Sequence, residues 1–125
     1  MKKSKILIVD DNPGFLELLE EFLCNEGYNV LTSSNGKDAH DKFSEFNPDI
    51  VLTDIVMPEF DGIELLMGLR KINPEIIIIA MSGGNKGHAD SYLRMAEKLG
   101  ANVILNKPFE LSELLLQINN LEVAA

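Results

Sequence analysis

The segment Asn47–Asp54 reads NPDIVLTD and holds, within one short stretch, a helix stop, a strand and an acidic side chain at the strand's end. Pro48 cannot continue a helix and pushes Asn47 toward extended geometry, so Asn47-Pro48-Asp49 predicts a helix-to-strand turn. Ile50, Val51, Leu52 and Thr53 then form a nearly unbroken apolar run. Such runs suit strands covered on both faces, the habit of a parallel sheet. The run stops at a carboxylate, Asp54.

Working outward, four more segments share this character: Lys5–Asp10 (KILIVD), Tyr28–Ser33 (YNVLTS), Glu75–Met81 (EIIIIAM) and Asn102–Asn106 (NVILN). Asn73-Pro74-Glu75 repeats the entry turn. Between the strands lie helical spacings. Phe15, Leu18, Leu19, Phe22 and Leu23 mark a first helix, which Gly27 closes with a left-handed cap. Ala39, Phe43 and Phe46 mark a second, and Ile63, Leu66 and Met67 a third. Tyr92, Met95, Ala96 and Leu99, closed by Gly100, mark a fourth; Leu111, Leu114, Leu115 and Ile118 mark a fifth. Strand-to-strand gaps are too long for hairpins and fit right-handed helical crossovers. The expected fold is α/β: an open, doubly wound parallel sheet of five strands with five helices on its two faces. A single domain over 1–125 is expected, with its core at about 4–121.

Composition narrows the function. Apolar residues make up 46% of 125 and charged residues 25%, which is globular usage. Eleven Lys and Arg against twenty Asp and Glu give 11 − 20 = −9, a balance that repels phosphate backbones and anionic lipid. No nucleic-acid or membrane partner is therefore expected. The longest apolar run, Ile76–Met81, is far too short to span a bilayer. The apolar stretch Ile6–Val9 is cut off by Asp10 and Asp11, so no secretory signal is predicted. Cys24 has no second cysteine to pair with and reads as an ordinary helix side chain. A cytoplasmic location is expected.

In open parallel sheets, ligands sit beyond the carboxyl ends of the strands, where the strand order reverses. Strand 1 ends in Asp10-Asp11, strand 3 in Asp54, strand 4 in Ser82-Gly83-Gly84 and strand 5 in Lys107-Pro108. Taken singly, Asp11 before Asn12-Pro13 fits a helix cap, Ser82 a loop cap and Lys107 a solvated charge. Taken together at one sheet edge, they fit a site. Three carboxylates in one cleft repel by roughly 4 kcal/mol per pair at 4 Å and an effective dielectric of 20. Lys107 leaves −3 + 1 = −2, which a divalent cation neutralises. Hard oxygen donors favour Mg²⁺ or Mn²⁺. A neutralised cluster with a reactive carboxylate can receive a phosphoryl group, the charge spread over its oxygens being met by the metal and Lys107, with Ser82 as a hydrogen-bond donor.

The pieces ILIVDDNP (Ile6–Pro13), DIVLTDIVMPEFDGIELL (Asp49–Leu66), IIIIAMSG (Ile76–Gly83) and VILNKPF (Val103–Phe109) resemble the receiver domain of two-component response regulators across essentially the whole chain. The resemblance implies a flavodoxin-like strand order 2-1-3-4-5 and Asp54 as phospho-acceptor, fed by a phosphohistidine on a histidine kinase or phosphotransfer protein. It also implies Mg²⁺ on Asp10, Asp11, Asp54 and the backbone carbonyl of Val56, with Asp10 acting mainly through water. By the same resemblance, Lys107 is expected to pair with Asp54 or the phosphoryl oxygens and Ser82 to be the switch hydroxyl. It implies as well that Met57-Pro58 and Asp61-Gly62 shape the loop before helix 3, and that the Lys107–Pro108 bond is cis, as is usual in the family. The resemblance further implies a downstream protein contact on the helix 4–strand 5–helix 5 face. The implied role is a signalling switch in a phosphorelay, not a turnover enzyme.

Three departures stand out. Ile104 replaces the usual Tyr or Phe and cannot make an aromatic swing. By the resemblance, Val56 and Gly84 hold the two variable positions that tune phosphoryl lifetime in this family, and neither side chain can orient an attacking water, so slow hydrolysis is expected. The stretch Gly83–Asp90 is longer than usual and glycine-rich, so a loop that settles on phosphorylation is expected there, with His88 solvated. Only Leu121–Ala125 follow the fifth helix, so no output module is expected; the chain is a stand-alone regulator or the excised receiver of a longer regulator or hybrid histidine kinase. A flavin- or nucleotide-binding protein on the same fold needs a phosphate cradle after strand 1, where Asp10-Asp11-Asn12-Pro13-Gly14 repels phosphate. A phosphate-ester hydrolase with an aspartyl-phosphate intermediate needs a substrate pocket for which the chain has no spare residues.

Overall fold

The computed structural model describes residues 3–55, 62–82, 94, 96–98 and 100–124. Lys5–Val9 (β1), Asn29–Ser33 (β2), Ile50–Asp54 (β3), Ile77–Ser82 (β4) and Val103–Asn106 (β5) form one parallel sheet in the order β2-β1-β3-β4-β5. The helices are Pro13–Asn25 (α1), Gly36–Phe46 (α2), Gly62–Ile72 (α3), a fourth described at residues 94 and 96–98 (α4), and Leu111–Ala124 (α5). The expected doubly wound fold and strand order are both present.

The apolar runs divide by parity because successive side chains leave a strand on opposite faces. Ile6, Ile8, Ile50, Leu52, Ile79, Met81 and Leu105 pack with Leu16, Leu19 and Leu23 of α1 and Leu114 and Ile118 of α5. Leu7, Val9, Val51, Ile78 and Ala80 pack with Ala39 and Phe43 of α2 and with Ile63, Leu65, Leu66 and Leu69 of α3. Ala96 of α4 joins that second layer.

Local sequence sets the helix ends. Asn12 caps α1 by accepting the Phe15 N–H at 3.1 Å, and Pro13 begins the helix where its missing N–H costs nothing. Gly27, at φ +95°, ends it: Gly27 N–H donates to Cys24 and Tyr28 N–H to Leu23, the pair of bonds that closes a helix through a left-handed residue. The same pairing recurs at Gly100, φ +104°, where Gly100 donates to Glu97 and Ala101 to Ala96.

Three expectations change in detail. Asn47 is not extended but left-handed, at φ 50°, with its N–H bonded to Phe43 O at 2.8 Å. Proline disfavours the right-handed helical region for its predecessor, and asparagine tolerates the left-handed one, so the residue both caps α2 and satisfies Pro48. Leu18 and Met67, counted with the apolar faces of α1 and α3, are about half exposed at 48% and 47%. Leu16 takes the inward place in α1, and Leu65 and Leu69 do so in α3. α5 runs on to Ala124, so residues 121–124, read as following the fifth helix, are its last turn.

Candidate functional site

The sheet reverses its order between β1 and β3, and the acidic residues stand on both sides of that switch. Val9 pairs with Thr53 in the β1–β3 ladder, so one step further Asp10 stands level with Asp54. Parity then decides which way the groups face. Asp10 continues the Ile6, Ile8 series, Asp54 the Ile50, Leu52 series and Lys107 the Leu105 position, all on the α1–α5 side of the sheet. Ser82 continues the Ile78, Ala80 series toward the α3 side, the side on which Ile104 also packs.

Lys107 joins the pieces. Its Nζ donates to Asp10 Oδ2 in a short ion pair and lies 3.5 Å from Asp54 Oδ2. Asp10, Asp54 and Ser82 are buried, whereas Asp11 is exposed at the rim. Among the described residues, Asp10, Asp11 and Asp54 each offer a carboxylate oxygen, and these oxygens all lie within 4.8 Å of one another. Octahedral Mg²⁺ binds oxygens at about 2.1 Å, so trans ligands are about 4 Å apart and a water on one arm spans the remainder. The donor set therefore fits a hard divalent cation.

Local hydrogen bonds keep these groups in position. Asp10 Oδ1 accepts the Asn12 N–H at 2.9 Å, which turns the chain sharply after β1. Because Asn12, not Asp11, caps α1, the Asp11 carboxylate is released from that duty. Thr53 Oγ1 donates to the Asp54 carbonyl at 2.8 Å, inside the core. Lys107 N–H donates to Ser82 O at 2.8 Å, and the Lys107–Pro108 peptide is cis as expected.

Asp10, Asp11, Asp54, Ser82 and Lys107 thus meet at one edge. Val56 and Gly84, with Met57, Pro58, Asp61 and the Gly83–Asp90 stretch containing His88, lie outside the described residues. Ile104 is half-buried against the α3-side core. Two contributors went unread in the sequence. Asn12 carried a signal, since Asn before Pro at a helix start is a capping signature. Phe15 carried none: it reads as the first apolar position of α1, yet its ring lies under Lys107 Nζ, 4.5 Å from the centroid.

A model of the response regulator receiver domain matches residues 6–119. The chain belongs to that family. It is 38% identical over 114 residues to Sporulation initiation phosphotransferase F of Bacillus subtilis, covering 91% of this chain and 90% of that protein. It is 34% identical over 117 residues to Chemotaxis protein CheY of Thermotoga maritima, covering 93% and 95%. Among solved structures, a response regulator receiver domain protein from Clostridium thermocellum superposes with a TM-score of 0.86 at 33% identity, covering 94% of this chain and 93% of that one. Some relatives are longer: the chain spans 50% of Response regulator SaeR of Staphylococcus aureus and 27% of NtrX from Brucella abortus.

Proposed function

We propose that the chain is a phosphorylation-dependent switch in which Asp54 accepts a phosphoryl group from a phosphohistidine on a histidine kinase or phosphotransfer protein. The observation that carries this reading is the bridge of Lys107 Nζ between Asp10 and Asp54, in a cluster where Asp11 adds a third carboxylate. In the step, an Asp54 carboxylate oxygen forms a bond to phosphorus while the phosphorus–nitrogen bond of the donor breaks. The departing imidazole keeps the electron pair and takes up a proton. Lys107 turns from the carboxylates toward the phosphoryl oxygens as negative charge moves onto them. Ser82 supplies a hydroxyl donor to the same oxygens.

Mg²⁺ on Asp10, Asp11, Asp54 and the Val56 carbonyl would supply the remaining positive charge. The ledger is then −2 (Asp10, Asp11) − 2 (phosphoryl) + 2 (metal) + 1 (Lys107) = −1, against −3 + 1 = −2 for the metal-free resting cluster. A phosphate-cradling cofactor site is disfavoured at the same loop, because the Asn12 N–H that would face an anion is taken by Asp10.

The chain acts as one receiver unit in the cytoplasm, signalling through a protein docked on α4, β5 and α5, and undergoes its own Mg²⁺-dependent phosphorylation and dephosphorylation with no external substrate turned over. With Val56 and Gly84 at the lifetime positions, phospho-Asp54 hydrolyses slowly; with Ile104 in place of an aromatic, the signal leaves Ser82 by another route. No helix among the described residues is long and apolar enough to cross a membrane.

The test is to incubate the protein with a small acyl phosphate and Mg²⁺ and to compare wild type with Asp54→Asn by intact mass. A single phosphoryl adduct on wild type alone is expected. An adduct on both, or on neither, overturns the assignment.

A further inference from the structure

We propose that Phe15 is a positioning residue for Lys107, its ring face forming the outer wall that keeps the ammonium turned toward Asp10 and Asp54. Lys107 Nζ lies 4.5 Å from the Phe15 ring centroid, and it also pairs with the carboxylates of Asp10 and Asp54. The ammonium is thus held between negative charge on one side and the negative face of a π-system on the other. Phe15 is itself braced: Phe109 meets it with centroids 5.9 Å apart and planes at 74°, an edge-on pair. Phe109 lies two residues beyond Lys107, so the bracing ring and the held cation both follow directly on β5.

This arrangement matters because a lysine stem is long and flexible. With only 20% of the Lys107 side chain exposed, the ring occupies space into which the ammonium would otherwise swing and hydrate. Phe15 touches no reacting atom, so its effect is on where the cation stands when charge develops on the phosphoryl oxygens. Aspartates at two strand ends repel each other whatever stands at position 15. The aromatic ring selects the one place where the lysine offsets both.

The test is a series at position 15 of the whole chain: Phe15→Tyr, Phe15→Leu, and phenylalanines carrying successively more ring fluorines. Fluorination weakens the ring's negative face with little change in size. With a small acyl phosphate at saturating Mg²⁺, the phosphorylation rate constant should fall stepwise along the fluorinated series. It should fall about threefold to tenfold in Phe15→Leu and stay near wild type in Phe15→Tyr. Half-saturating Mg²⁺ should not rise. A flat rate along the fluorinated series overturns the inference. So does a parallel rise in half-saturating Mg²⁺, which would report a displaced Asp10-Asp11 loop instead.

The kinetic arm rests on the phospho-acceptor reading of Asp54, and a spectroscopic arm does not. In wild type the Lys107 Cε protons should carry an upfield ring-current shift that disappears in Phe15→Leu. No such shift in wild type overturns the inference and leaves the phospho-acceptor reading standing. Failure of any Asp54-dependent adduct overturns that reading, and the ring-current shift then decides the lysine's placement alone.

Discussion

The backbone N–H of Lys107 donates to the carbonyl of Ser82 at 2.8 Å, carrying the β4–β5 ladder one step past the Ser82–Asn106 pair. A hydroxyl and an ammonium are thereby fixed to one another through the main chain. Their side chains leave the sheet on opposite faces, so a phosphoryl group on Asp54, as proposed, would be approached from two sides. The two residues are not interchangeable parts of one contact, and their loss should have different consequences.

Lys107→Ala should slow phosphorylation by about a hundredfold, the scale for losing one preorganised donor to developing charge. It should also move Mg²⁺ half-saturation to lower concentration, because the acidic cluster then carries −3 in place of −3 + 1 = −2. Rate constants by intact mass, with a Mg²⁺ titration on each protein, check both. Weaker Mg²⁺ binding in the variant would contradict the charge ledger.

Mg²⁺ should stabilise the fold, since an unfolded chain does not hold the three carboxylates together. At about a hundredfold excess over its dissociation constant the gain is about 2.7 kcal/mol. Thermal unfolding with and without a chelator measures it. Asp11→Asn should cancel most of the gain while leaving metal-free stability little changed, because Asp11 is exposed and Asn12 provides the cap.

Arg70→Ala should cost about 2 kcal/mol, with the midpoint in urea as readout. From α3 the guanidinium donates to the carbonyls of Pro74, Ile76 and Gly100 and to Asn102 Oδ1. Asn102 Oδ1 also accepts the Ile78 N–H at 2.8 Å, so one side chain ties α3 to the starts of β4 and β5 and to the end of α4. Burial pushes the Arg70 guanidinium pKa down, yet it stays charged at any physiological pH. Arg70→Lys should recover little, since a point charge cannot serve four acceptors in a planar fork.

Tyr28→Phe should cost about 1 kcal/mol and remove an alkaline sensitivity. The Tyr28 hydroxyl donates to Glu122 Oε1 at 2.9 Å, pinning α5 to the start of β2. Burial, then the Glu122 hydrogen bond and charge, push the Tyr28 pKa well above its ordinary 10.0. The folded state therefore holds the proton more tightly than the unfolded state. That stability is complete below about pH 10 and is lost as pH rises beyond it. Denaturation midpoints across alkaline pH should fall in wild type and stay flatter in Tyr28→Phe.

Strand count, parallel pairing and the segments' order were legible because buried parallel strands leave unbroken apolar runs and prolines mark their entries. The strand-end acids were legible for the same reason: each stops a run. Which helix residues turn inward was less so, since Leu18 and Met67 are as apolar as Leu16 and Leu69 and only packing separates them.

By itself, then, the sequence determined the five β-α repeats and the residues at the carboxyl edge of each strand, because local patterning of apolar runs, prolines and caps is short-range. Tertiary structure alone decided that Asp10, Asp54 and Lys107 share one face while Ser82 takes the other, that Asn12 and not Asp11 caps α1, and that Phe15 walls in the lysine. These depend on ladder register and on helix-to-sheet docking, where groups separated by as many as 97 positions are brought into contact and no local spacing records the outcome.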